Sequence, residues 1–210
     1  GFYIGIYETG TEAARTSGSS TTAPKAIPVI KQNAYPYNYV TCKQAQTLAS
    51  NMESRDRTTS LLFGVQWDLV MKYLETKGTS QADLKTDSTS WGNYSNNAWI
   101  ITIANLKYAV MSMSDYELGS WTTATEKSKT SNAIILLSTG ADESFCKMGI
   151  YDLAGNESEW ALESTFYTYS PCTSRGGRYF ASGSSGPASS RLGNAMATSN
   201  DHLGFRVALY

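Results

Sequence analysis

Ile150-Tyr151-Asp152-Leu153-Ala154-Gly155-Asn156-Glu157-Ser158-Glu159-Trp160 is the stretch on which the fold reading turns. Taken alone, its Glu157 and Glu159 are two carboxylates two residues apart, which a solvated turn explains as well as acid–base chemistry does. Its value comes from what surrounds it. Downstream stand Arg175-Gly176-Gly177 and the terminal Gly204-Phe205-Arg206-Val207. Upstream stand Trp91-Gly92-Asn93, Val65-Gln66-Trp67-Asp68 and the opening Gly1-Phe2-Tyr3-Ile4-Gly5-Ile6-Tyr7-Glu8. Each motif is a weak signal alone, but six of them in this order are a strong one.

Between the motifs, local patterns predict a coarse architecture. Phe2–Tyr7 alternates like a strand, and Thr9–Pro28, rich in Gly, Ser, Thr and Pro, reads as a loop. Thr41-Cys42-Lys43-Gln44 has the spacing of a capping box, in which hydroxyl and amide each satisfy an orphan backbone N–H. Ala45, Leu48, Ala49 and Met52 follow at helical spacing, predicting a helix over residues 41 to about 53. A second helix is predicted from about Val65 to Thr76, with Leu69, Val70, Tyr73 and Leu74 as its apolar face and Gly78 as its stop. Residues 78–97 are polar and turn-rich. Short strand-like runs such as Trp99–Ile103 and Ala133–Leu137 follow. Two early helices, irregular short strands later and no repeat predict an α+β domain with high loop content.

Composition excludes several classes. The chain has 210 residues, a net charge of −1 and 17% charged residues, and no Lys/Arg cluster offers a footprint for nucleic acid or a membrane surface. The apolar stretch Ala98–Met113, broken by Asn105 and Lys107, is too short and polar to span a bilayer. The chain starts at Gly1 without an initiator Met or a signal peptide, so it is expected to be a fragment whose targeting segment, where one exists, precedes it. Cys42, Cys146 and Cys172 are too few for a disulfide framework or a zinc knuckle and are expected as buried free thiols, with Cys146–Cys172 the one pairing considered. The single histidine, His202, has no nucleophile motif near it and is expected at a surface or interface.

The ordered motifs resemble the formylglycine-generating-enzyme type of the C-type-lectin-like fold, over nearly the whole chain. The resemblance implies a single domain over 1–210. The enzymes of that family oxidise a substrate cysteine with two copper-holding cysteines that follow the Arg-Gly-Gly motif. Here the stretch from Arg175 to Gly186 contains no cysteine, and Ser or Ala cannot replace the soft thiolate ligands, so no catalytic residues and no required cofactor are expected. The resemblance also implies a structural calcium site, with carboxylate oxygens from Asp152 and Glu159 and carbonyls from Gly155 and Glu157. Glu157-Ser158 departs from the family pattern before the final Glu-Trp.

The C-terminal segment carries a second signal. The chain holds 10 Lys, 10 Glu, 5 Gln and 5 Trp, none of them within 173–210, where even spreading would put roughly five. Codons ending in a pyrimidine cannot encode these four types. In a diversity-generating retroelement, template adenines are copied with errors, and Asn-type codons ending in a pyrimidine become the variable positions. Ser174, Arg178, Phe180, Ala181, Gly186, Ser190, Leu192, Gly193, Asn194, Ala195 and His202 fit that origin. Arg175-Gly176-Gly177, Tyr179, Pro187-Ala188-Ser189, Arg191 and Gly204–Tyr210 stand between and after them as scaffold. On composition alone, a Ser/Gly-rich loop accounts for the segment equally well. Together with the framework motifs, the alternation resembles the C-type-lectin-like variable proteins of these retroelements.

That resemblance implies a binding protein, monomeric, with 173–210 as its variable region and Arg178, Phe180 and His202 as anchors. Its ligand would be a protein or surface ligand, and its place a bacterial cell surface or phage particle. The alternatives are an oxidase of the formylglycine-generating type and a calcium-dependent lectin, although the Glu-Pro-Asn and Trp-Asn-Asp signatures of the latter are missing.

Overall fold

Thr41 opens the first helix as the capping box requires. The Gln44 amide nitrogen of the backbone donates to Thr41 Oγ1 at 3.3 Å, and the Thr41 backbone donates to Gln44 Oε1 at 2.8 Å. Helix α1 spans Cys42–Ser50 and buries Ala45 and Ala49, with Asn51 closing it. The computed structural model describes residues 1–15, 22–52 and 56–210, so position 53, the expected helix end, lies outside the described residues. Helix α2 spans Gly64–Thr76. Its buried face is Trp67, Val70, Met71 and Leu74, whereas Leu69 and Tyr73 are exposed. The i, i+3, i+4, i+7 stripe that starts at Trp67 turns those two outward, which corrects the expected face.

The strands are short. In chain order they are β1 Tyr3–Ile4, β2 Gly10–Thr11, β3 Tyr35–Pro36, β4 Thr59–Leu61, β5 Trp99–Val110, β6 Thr122–Lys129, β7 Ile135–Leu137, β8 Cys146–Lys147, β9 Ile150–Tyr151, β10 Ser158–Ser164, β11 Cys172–Arg175, β12 Arg191–Asn194, β13 Leu203–Phe205 and β14 Val207–Leu209. The expected strand over Phe2–Tyr7 is cut to β1, because the chain turns inward to bury Glu8. The run expected over Trp99–Ile103 is the start of the longest strand. Asn105 takes φ +58° inside it, and the β5–β6 register shifts between Thr102 and Leu106. That bulge resets the alternation and hides the strand's second half from a period-two reading.

Both chain ends meet in one sheet, β1-β14-β4, with Tyr3 opposite Leu209 and Val207 opposite Leu61. The sheet that carries the candidate positions of β12 is β12-β11-β10-β13. In it β13 runs parallel to β10, and the other neighbours are antiparallel. One core cluster joins α2 to Trp91, Tyr94, Leu153 and Ala188. A second joins α1 to Tyr37, Trp160, Leu203, Phe205 and Val207. The tryptophans also bond to distant chain: Trp67 Nε1 donates to the Ala188 carbonyl at 3.0 Å and Trp160 Nε1 to that of Val40 at 2.8 Å.

The sequence motifs converge in space. Asn93 pairs with Gly155 in an isolated bridge, and its Nδ2 donates to Asn156 Oδ1 at 2.9 Å. Gly155 sits at φ +75°, where a Cβ would lie 2.4 Å from the Asn93 carbonyl oxygen. Gly177 sits at φ +82°, where a Cβ would lie 2.0 Å from the Gly186 oxygen. Only glycine supplies that backbone and that space together.

The cysteines are not arranged as expected. Cys172 faces Cys42, while Cys146 lies beside Tyr151 and Glu143, so the Cys146–Cys172 pairing is wrong. All three are free and half-buried. Sequence separation alone could not show that the chain entering α1 lies against the sheet that carries β11.

Candidate functional site

The stretch Asp152–Trp160 is buried, and its charges gather around an arginine. Arg206 donates through Nε to Glu159 at 3.1 and 3.0 Å and through Nη2 to Glu159 Oε1 at 2.6 Å. Its remaining donors reach the Gly5 and Tyr151 carbonyls, each at 2.8 Å. Asp152 Oδ2 accepts from the Gly140 backbone at 2.6 Å. Glu8 accepts from Asn156 Nδ2 at 2.6 Å and from the Glu157 backbone at 3.0 Å. Asn38 Nδ2 donates to the Asp201 carbonyl at 2.6 Å and also lies near Glu157, whose two oxygens make no hydrogen bond of ordinary geometry.

Burial dominates the electrostatics. It raises the Asp152 carboxyl to about 7 against the opposing Gly140 hydrogen bond and Arg206 charge. Burial also raises Glu8 and Glu157 well above the carboxylate range, and Glu159 to a lesser degree against the pull of Arg206. Charged forms are disfavoured where water is excluded and partners are few. The calcium shell implied for Asp152, Gly155, Glu157 and Glu159 draws on two of these buried carboxyls and on two backbone carbonyls. Among the described residues no three His, Cys, Asp or Glu side chains are arranged to hold a metal. The Arg206 guanidinium faces Asp152 and grips Glu159. Arg206 is thus the positive charge that these two carboxyls meet within the chain.

The proposed variable positions form two groups. In the first, Arg178 Cζ stands 4.6 Å over the Phe180 ring, and Phe180 meets His202 edge-on at 4.9 Å. His202 Nδ1 lies 2.9 Å from Asp201 Oδ1, and Tyr179 donates to Asp201 Oδ2 at 2.6 Å. Burial alone would raise the Asp201 carboxyl, but the His202 and Tyr179 hydrogen bonds outweigh it and hold it below its usual value. Tyr179 is buried beneath this group, and Arg178, Phe180, Ala181 and His202 are half-buried at its surface.

The second group lies on β12, an outer strand of the four-stranded sheet. Leu192 and Ala195 are exposed, with Leu192 at 45%, and Ser190, Gly193 and Asn194 are half-buried. Asn194 Nδ2 donates to Ser174 Oγ at 3.0 Å. Arg191 bonds to Asp68 at 2.9 Å and pairs with Glu163 as well, so it clamps β12 to the frame. His202 precedes β13, the opposite outer strand, so the two groups approach the sheet from different edges.

Two positions are not part of any face. Ser174 is buried because β11 runs between β10 and β12. Gly186 is buried because its carbonyl accepts from Tyr94 Oη at 2.8 Å beneath Gly177. Codon logic reports what a position can encode and says nothing of its burial.

Another exposed feature escaped the sequence reading. In the β10–β11 turn Phe166 and Tyr169 are 86% and 92% exposed, Tyr167 stacks on Phe166 at 4.1 Å, and Ser170 packs against Gly193. Its signal was available in Phe166-Tyr167-Thr168-Tyr169, an aromatic run flanked by Ser, Thr and Pro.

The family model for FGE-sulfatase, a sulfatase-modifying factor enzyme 1-like domain, matches residues 5–210. No curated protein matches. Among solved structures, Treponema denticola variable protein 1 aligns with a TM-score of 0.45 at 13% identity, over 96% of this chain and 94% of that one. CarF aligns with a TM-score of 0.38 at 19% identity, over 82% of this chain and 58% of that one.

Proposed function

Because the chain belongs to the FGE-sulfatase family, we propose that it is a ligand-binding member of that family, of the retroelement-diversified kind, and not a cysteine oxidase. The observation that carries this reading is the alternation of frame and uncovered positions in the C-terminal segment. Tyr179, Ala188 and Phe205 are buried, while Arg178, Phe180, Leu192, Asn194 and His202 reach the surface between them. A face built this way accepts substitution at its outward positions without disturbing what supports it. Arg and aromatic side chains are the types that anchor interfaces, and Arg178 with Phe180 supplies both.

The thiols support the negative half of the reading. No cysteine lies between Arg175 and Gly186, where the related enzymes place their copper ligands. Cys172 faces Cys42, and Cys146 lies elsewhere. The stretch from Arg175 to Gly186 therefore supplies no thiolate pair for copper. Under this proposal the partner is a protein or other surface-bound ligand, met by a monomer at a bacterial cell surface or on a phage particle. No helix of the described residues is long and apolar enough to cross a membrane.

The test is genetic and biochemical. The DNA around the gene is expected to encode a reverse transcriptase and to contain an adenine-rich near-copy of the segment for 173–210. Sequencing that finds neither overturns the diversified-face reading. Copper-dependent turnover of a sulfatase-type cysteine peptide by the purified chain would overturn the non-enzymatic one.

A further inference from the structure

Cys42 and Cys172 face one another where the chain entering α1 meets the four-stranded sheet. Three observations place them there. Trp160 on β10 donates to the Val40 carbonyl at 2.8 Å, which fixes the chain two residues before Cys42. Trp160 lies opposite Ser174 on β11, so Cys172, two residues from Ser174, projects from the same face as Trp160. Both thiols pack, half-buried, against the cluster of Tyr37, Val40, Trp160 and Phe205, and they are in contact with each other. Each cysteine sits in an element held independently: Cys42 in the first turn of a capped helix, and Cys172 in a strand paired on both sides.

We propose that Cys42 and Cys172 are a disulfide site, which on oxidation ties the N-terminus of α1 to the strand on which the candidate binding strand β12 is laid. Cys172 pairs directly with Asn194 of β12, so the cross-link would secure the floor beneath one group of candidate binding positions. The site does not depend on the binding reading. The oxidant is a small-molecule disulfide of the glutathione class. One of the two thiols, as its thiolate, attacks one of the oxidant's sulfurs and releases one glutathione thiolate, forming a mixed disulfide. The other then gives up its proton, attacks the protein Sγ of that mixed disulfide and releases the second glutathione. Two protein thiols and one oxidised glutathione become one protein disulfide and two reduced glutathiones.

The whole chain tests this directly, since trypsin places the three cysteines in separate peptides: 32–43 for Cys42, 130–147 for Cys146 and 148–175 for Cys172. After incubation with oxidised glutathione and alkylation of remaining thiols, non-reducing mass spectrometry should show 32–43 joined to 148–175, with Cys146 alkylated. The oxidised protein should melt roughly 5–15 °C above the reduced protein, because the bridge closes a very long loop of the unfolded chain. Cys42→Ser and Cys172→Ser should each lose both the cross-link and the thermal gain, and Cys146→Ser should keep both. The proposal is overturned if both thiols remain alkylatable in the folded, oxidised protein, if Cys146 captures Cys172, or if the cross-link forms without raising the melting temperature. The peptide readout on the unsubstituted chain stands even where a serine variant fails to fold.

Discussion

Arg206 and Glu159 form a fully buried ion pair, with Nε at 3.1 and 3.0 Å and Nη2 at 2.6 Å from the carboxylate. The pair links β10 to the segment between β13 and β14, and the guanidinium's other donors fasten Gly5 and Tyr151. Removing one partner leaves an uncompensated charge or unsatisfied donors where water does not reach. Arg206→Met is therefore expected to cost roughly 3–5 kcal/mol. Urea denaturation should show a lower midpoint with an unchanged slope. A double variant, Arg206→Met with Glu159→Leu, should recover part of the loss. Additive losses in that cycle would show that the two side chains are not coupled.

The buried carboxyls predict a pH dependence opposite to ordinary acid denaturation. Asp152 is raised to about 7, and Glu8 and Glu157 are raised well above their usual range, in each case chiefly by burial. In the unfolded chain such groups titrate near about 4. Between the two values the native state binds more protons than the unfolded state, so stability falls as pH rises. Their contribution is fully present below about pH 4, and that of Asp152 is lost as pH passes through about 7. The melting temperature should be higher at pH 5 than at pH 8, and Asp152→Asn should flatten that slope. A melting temperature that rises from pH 5 to pH 8 would contradict the assignment.

Phe180 joins Arg178 to His202, and His202 is the chain's one histidine. Its imidazole resonances therefore report this corner of the structure alone. Phe180→Ala should shift them, because the ring that meets the imidazole at 4.9 Å is gone. The stability cost should be roughly 1–3 kcal/mol, below that of a core phenylalanine because Phe180 is only half-buried. Unchanged histidine resonances would mean that the two rings do not meet in solution.

What the sequence made legible follows the range of the interaction involved. The capping box at Thr41, the stop at Gly78 and the α+β class rest on neighbours within a few residues, and the structure has all of them. Leu69 and Tyr73 were misread because an apolar residue on a helix does not declare which stripe faces the core, and Trp67 decides that here. The length of β5 was hidden by a single left-handed Asn105. The meeting of Cys42 with Cys172, the burial of Ser174, and the role of Arg206 as the cation among the carboxylates all depend on strand order. Composition carries no record of strand order. The group of Arg178, Phe180 and His202 was named from residue type and motif position, yet its separation from β12 appears only once both lie at different edges of one sheet.

Frame and face can be separated by three substitutions. Leu192 is 45% exposed on an outer strand, so Leu192→Ala should change stability by only about half a kcal/mol. Phe205 is fully buried between Tyr37 and the α1 cluster, so Phe205→Ala should cost roughly 3–5 kcal/mol. Gly177→Ala adds a single methyl group, but at φ +82° that methyl would stand 2.0 Å from the Gly186 oxygen and against Tyr94. Backbone strain and collision combine there, since neither the Gly186 carbonyl nor the buried Tyr94 can withdraw without breaking their 2.8 Å hydrogen bond. Its loss should therefore match or exceed that of Phe205→Ala, although far fewer atoms change. Equilibrium denaturation of the three variants orders them. A Gly177→Ala protein as stable as Leu192→Ala would mean that the turn after Arg175 is not the fixed support on which the C-terminal segment is built.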